Sequence, residues 1–177
     1  MYLFIFYSIF AIMNKIVRLF FVLFLFVGCV VDESENDQNT NEENLVRVGD
    51  RLPSFSVEVV SDDVRSVFSS DHLTGRTVIV FFHTGCRDCQ RELPELNGYY
   101  LRHRDEAGFQ MVAIAREESE PDVAAYWQAH GFSIPYAPQN DRRIFNLFAT
   151  QTIPRVYICS PSGIVEWMGI ENFTIAD

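Results

Sequence analysis

The sequence predicts an α/β domain with a mixed sheet, parallel at its centre and extended on one side by an antiparallel hairpin. Three observations lead there. Residues 77–82 and 109–115 are continuous runs dominated by β-branched, aromatic and other apolar side chains, the pattern of strands buried on both faces. Between them Leu93, Leu96, Tyr99, Tyr100 and Leu101 recur at helical spacing, as the crossover of a parallel pair requires. Near the end, 155–159 and 164–168 read as strands joined by Ser160-Pro161-Ser162-Gly163, a turn of hairpin length.

The chain begins with a segment of a different kind. Residues 1–31 hold only two charges, Lys15 and Arg18, and the uninterrupted apolar run 19–27 is nine residues long. A membrane span needs about 20. A basic start, a short apolar core and a small residue make a secretory signal. Here Gly28 is followed directly by Cys29, which resembles a bacterial lipoprotein signal with Cys29 as the acylated mature N-terminus. Residues 1–12 are uncharged and precede Met13, which opens a normal charged start. The alternative is one longer anchor helix over 2–31. Residues 32–44 contain no apolar side chain, so they bury nothing against their ordering entropy and read as a flexible acidic tether. The division is therefore signal 1–28, tether 29–45 and folded domain 46–177.

The domain's elements follow in order. Phe55, Val57 and Val59 alternate with polar residues, so 54–60 reads as a strand, with 66–68 as its partner. The helix over 87–104 carries Pro94, which should kink it. Residues 118–130 read as a helix closed by Gly131, and 141–148 as a short helix. All 24 acids lie in 32–177, against 12 arginines and no lysine. Such a surface has no basic surplus to displace counterions, which excludes nucleic acid as a partner.

The chemistry lies at Cys86-Arg87-Asp88-Cys89, directly after the strongest strand and at the start of a helix. The nucleophile of thiol–disulfide exchange is the thiolate, and unpaired N–H groups at a helix N-terminus favour the anion. Cys86 at the turn is the expected exposed attacker, and Cys89 one turn on the buried resolving thiol. Arg87 adds positive charge near Cys86, and Asp88 partly opposes it. Two other readings stand beside this one. Zinc needs four ligands, and Cys159 with His72, His83, His103 and His130 offers no pair at ligand spacing, so no metal is expected. A structural disulfide would close only a tiny loop and contribute little.

The stretch from Thr77 through His83-Thr84-Gly85-Cys86-Arg87-Asp88-Cys89 to Glu92-Leu93-Pro94 resembles the active-site strand and helix of the thioredoxin superfamily. It is most similar to the TlpA/ResA-like membrane-anchored thiol–disulfide oxidoreductases. Thr152-Ile153-Pro154, with the hairpin around Pro161-Ser162-Gly163, resembles the same family's cis-proline loop. The resemblance spans roughly 49–170. It implies a thioredoxin fold, a mixed central sheet flanked by helices, with an N-terminal β extension. It implies that Pro154 faces Cys86, that the backbone of Ile153 binds an extended substrate chain, and that Glu92 exchanges protons with Cys89. Gly85 stands where the family often has Trp, which opens the groove wall. His83 replaces a small residue and is a candidate to tune Cys86, while Cys159 reads as packing. The family adds a final helix, which is expected to be missing here because the sequence stops at Asp177.

The resulting expectation is an extracytoplasmic thiol–disulfide oxidoreductase, facing the periplasm or cell exterior on a lipid anchor. It would reduce cysteine-containing exported proteins and draw electrons from an upstream membrane thiol donor, with a Cys86–Cys89 redox disulfide and no other cofactor. The alternatives are a thiol peroxidase and a non-catalytic thioredoxin-like surface lipoprotein. A peroxidase needs Pro and Thr before its cysteine; Thr84 is present, but no proline lies nearby upstream.

Overall fold

A computed structural model describes residues 43–173. The signal, Cys29 and most of the tether lie outside the described residues. Among those described, no helix is long and apolar enough to cross a membrane.

The strands are β1 (Ser56–Ser61), β2 (Val64–Ser69), β3 (Thr77–Phe82), β4 (Gln110–Ala115), β5 (Tyr136–Ala137), β6 (Arg155–Cys159) and β7 (Val165–Ile170). The helices are α1 (Arg87–His103) and α2 (Glu120–His130). The seven strands form one sheet in the order β2-β1-β5-β4-β3-β6-β7. β3 pairs parallel with β4 and antiparallel with β6, and β6 pairs antiparallel with β7. This is the thioredoxin-like arrangement with an N-terminal hairpin added, as expected. Every residue of β3 and β6 is buried, which explains why those runs lack alternation.

Alternation along β3 sends consecutive side chains to opposite faces. Phe82 meets Trp127 of α2 with ring centroids 4.8 Å apart. Phe81 turns the other way and packs on Phe145, Phe148 and Tyr157 at 5.5, 4.8 and 6.2 Å. α1 shares the Phe82 face. Val78, Ile158 and Trp167 lie opposite one another on that face, and Phe173 bridges Trp167 to Tyr99 of α1 at 6.1 and 5.5 Å. Asn97 of α1 accepts from the amides of Ser133 and Ile134, tying α1 to the loop after α2.

Two local features differ from the sequence reading. Residues 141–148 form only a single 3₁₀ turn, Phe145–Leu147. Asp141 accepts from the Arg143 amide at 2.9 Å, and Phe145 and Phe148 still bury at helical spacing. The two-residue β5 was not foreseen. α1 runs through Pro94, which sits on the exposed face where water can take the carbonyl its missing N–H leaves. Gly131 caps α2 in the left-handed region, at φ 63°. After β7, no helix occurs among the described residues, and Trp167 lies over Gly169, where an added Cβ would stand 2.3 Å from the indole.

Candidate active site

The site forms where β3 ends and α1 begins. The buried strand delivers the chain to His83, and the turn to α1 closes with the Cys86 amide donating to the His83 carbonyl at 3.0 Å. Cys86 is the N-cap of α1, with extended backbone (φ −82°, ψ 122°), and its sulfur accepts from the Cys89 amide at 3.4 Å. The sulfur therefore takes one of the free N–H groups of the first turn and sits at the positive end of a 17-residue helix. Cys86 is half-buried and Cys89 fully buried. Both carry free thiols, as does Cys159.

Burial pushes the Cys89 thiol well above its ordinary range, and the adjacent Cys86 thiol adds to the rise; the charge of Arg116 acts in the opposite sense. Burial also pushes the Cys159 thiol up to about 12, in β6 and away from this turn.

Glu92 lies one turn after Cys89 and is 5% exposed. Its Oε1 is buried without a hydrogen-bond partner among the described residues, and the exposed Arg91 guanidinium stands 3.5 Å away. Burial raises its pKa, partly offset by Arg91. Gly85 and Arg87 are exposed on the rim.

The opposite wall is the loop before β6. The Ile153–Pro154 peptide is cis. The Cys86 thiol donates to the Ile153 carbonyl at 3.5 Å, so this loop lies directly against the sulfur. Thus Cys86, Cys89, Ile153 and Pro154 are brought together, with Glu92 beneath on α1.

Three residues of this region were not read from the sequence. Glu118 is 6% exposed, and its carboxylate accepts from the Thr84 amide at 2.8 Å and from the Thr84 hydroxyl. His83 Nδ1 accepts from the Gly85 amide at 2.9 Å and stands 3.7 Å from Glu118. Arg116 follows β4, donates its amide to the Phe82 carbonyl at 2.8 Å and lays its guanidinium on the Phe145 ring at 5.1 Å. Burial lowers its pKa, with Arg142 adding to the effect, and its Nε has no hydrogen-bond partner among the described residues. Arg155 is fully buried beside Pro154. No local signal marks these three, since the partners that give Glu118 and Arg155 their places lie in distant segments and Arg116 meets the site only through the folded sheet. Among the described residues, no three metal-ligating side chains cluster.

A half-exposed thiol capping a helix, a buried thiol one turn on and a mixed seven-stranded sheet define a thioredoxin-like thiol–disulfide oxidoreductase. The chain belongs to the AhpC/TSA family, whose model matches residues 48–168. Among its relatives, the thiol-disulfide oxidoreductase ResA of Oceanobacillus iheyensis is 24% identical over 147 residues, covering 82% of this chain and 76% of its own. ResA of Bacillus subtilis (strain 168) is 26% identical over 118 residues, 66% of this chain and 64% of its own. Among solved structures, a putative protein disulfide isomerase from Bacteroides thetaiotaomicron superposes with a TM-score of 0.66 at 23% identity, over 73% of this chain and 82% of that one. StoA from Bacillus subtilis gives a TM-score of 0.57 at 17% identity, over 68% and 90%.

Proposed function

We propose that this protein is an extracytoplasmic thiol–disulfide oxidoreductase that reduces disulfides of exported proteins, held to a membrane by a lipid on Cys29. The observation that carries the reading is the pairing of Cys86 and Cys89: one sulfur half-exposed at the helix cap and against the Ile153 carbonyl, the other buried behind it. The likeness to relatives named thiol-disulfide oxidoreductase supports the thiol–disulfide chemistry.

In this reading the Cys86 thiolate attacks one sulfur of a substrate disulfide. That S–S bond breaks, a mixed disulfide forms, and the departing substrate thiolate takes a proton. Cys89 then loses its proton and attacks Cys86. The second substrate thiol leaves, and a Cys86–Cys89 disulfide remains. The substrate has gained two electrons and two protons. Buried Glu92, one turn from Cys89, accepts and returns the proton of the resolving thiol. Exposed Gly85 and Arg87 flank the entering chain, and the backbone of Ile153 hydrogen-bonds it as an added strand. An upstream membrane dithiol restores the reduced pair.

Against a thiol peroxidase, the Thr84 hydroxyl donates to Glu118, so it is committed to a carboxylate. Reduction of insulin by the reduced protein tests the reading. Wild type reduces insulin and Cys86→Ser does not. Inactive wild type would favour a binding module, and an active Cys86→Ser would remove Cys86 as the attacker.

A further inference from the structure

The Arg155 guanidinium has 0% exposure, immediately after Pro154. A buried guanidinium is tolerated only when its donors are satisfied. Its Nε donates to the carbonyls of Gln151 and Thr152 at 3.0 and 2.8 Å. Its Nη1 donates to the Asn44 side-chain oxygen, and its Nη2 stands 3.4 Å from a Glu43 carboxylate oxygen. That same oxygen accepts the Thr152 hydroxyl at 3.0 Å. Backbone contacts run in parallel: the Thr150 amide donates to the Glu43 carbonyl at 3.0 Å, and Asn44 forms an isolated antiparallel bridge with Ala149.

The residues that lead into the domain are therefore bonded to the loop whose next carbonyl touches Cys86. Thr152 sits in the left-handed region at φ 57°, where a β-branched residue stays only if its surroundings hold it. Arg155 holds its carbonyl and Glu43 its hydroxyl. We propose that Arg155, Glu43 and Asn44 form a positioning latch that fixes the 151–153 loop so that the Ile153 backbone meets an incoming substrate chain beside Cys86. These are positioning residues, acting through Thr152 and Ile153. The part of this inference that concerns turnover rests on the proposed oxidoreductase function; the part that concerns the loop does not.

Removing the side-chain acceptors on the entering segment tests it while leaving Arg155 its two loop carbonyls and Thr150 its backbone bond to residue 43. In the full-length Glu43→Ala/Asn44→Ala variant, amide hydrogen exchange over 149–153 should rise roughly tenfold, with β3 and β4 protection unchanged. The kcat/KM for insulin reduction should fall roughly tenfold, because a displaced loop mispositions a polymeric substrate. The rate of Cys86 alkylation by iodoacetamide should change far less than insulin turnover, because that small probe needs no groove and meets only the Ile153 carbonyl contact. The milder Glu43→Gln variant keeps the Thr152 hydrogen bond, loses the charge facing Arg155 and should lie between. Unchanged exchange over 149–153, or a rise spread through the whole sheet, overturns the latch. Raised loop exchange with full insulin turnover overturns its catalytic role. If wild type itself fails to reduce insulin, the functional reading falls, and the exchange measurement still decides the latch.

Discussion

Replacing Glu92 by Gln should stabilise the protein at neutral pH, and by an amount that depends on pH. The carboxylate is 5% exposed, and its Oε1 lacks a hydrogen bond among the described residues. A buried polar atom left unsatisfied costs ~1–3 kcal/mol. The Arg91 contact at 3.5 Å comes from a side chain 60% exposed, and such a pair returns only ~0–1 kcal/mol. The ionised Glu92 therefore costs about 1–2 kcal/mol net. The sign follows from its raised pKa. Below the ordinary value of 4.5 the group is protonated folded and unfolded, and the cost of burying its charge is absent. As pH rises past that value, the unfolded chain releases its proton first, and stability is lost until pH exceeds the raised folded value. Glu92→Gln suffers no such loss. Thermal denaturation from pH 4 to 8 should show the two curves close at the acid end. They should diverge upward, with the variant about 4–8 °C higher in Tm at pH 7. Parallel curves, or a less stable variant at pH 7, would refute the assignment of Glu92 as a desolvated, poorly paired carboxylate.

Other consequences are as direct. Native alkylation at pH 8 should modify Cys86 first: with Cys159 pushed up to about 12, its thiolate is roughly one part in ten thousand there, and Cys89 lies further in the same direction. Mass-spectrometric mapping that found Cys159 or Cys89 labelled first would contradict this. Gly75→Ala should destabilise by about 2 kcal/mol or more, because its Cβ would stand 2.4 Å from the Gly108 carbonyl oxygen, a backbone atom with no rotamer to escape into; denaturant melts at unchanged m-value check it.

What could be read from the sequence follows the range of the interactions. β3 and β4 were legible because burial on both faces writes itself as an unbroken apolar run. The dithiol was legible because strand, cysteines and helix are contiguous. β5 pairs only Tyr136 and Ala137 and leaves no run to read. The segment 141–148 misled because Phe145 and Phe148 bury at helical spacing although only one 3₁₀ turn forms between them. Glu118 and Arg155 escaped for another reason. Glu118 bonds Thr84 across 34 residues, and Arg155 bonds Asn44 across 111, so neither neighbourhood exists before the chain folds.

The central claim is that Cys86 attacks and Cys89 resolves, and trapping the mixed disulfide tests it most directly. A Cys89→Ser variant incubated with a disulfide-linked peptide should accumulate one covalent adduct, mapped to Cys86 by mass spectrometry and released by a reductant. Cys86→Ser should accumulate none, because the thiol left in the motif is buried and protonated. An adduct on Cys89 in the Cys86→Ser variant, formed as fast as the one on Cys86, would contradict the assignment.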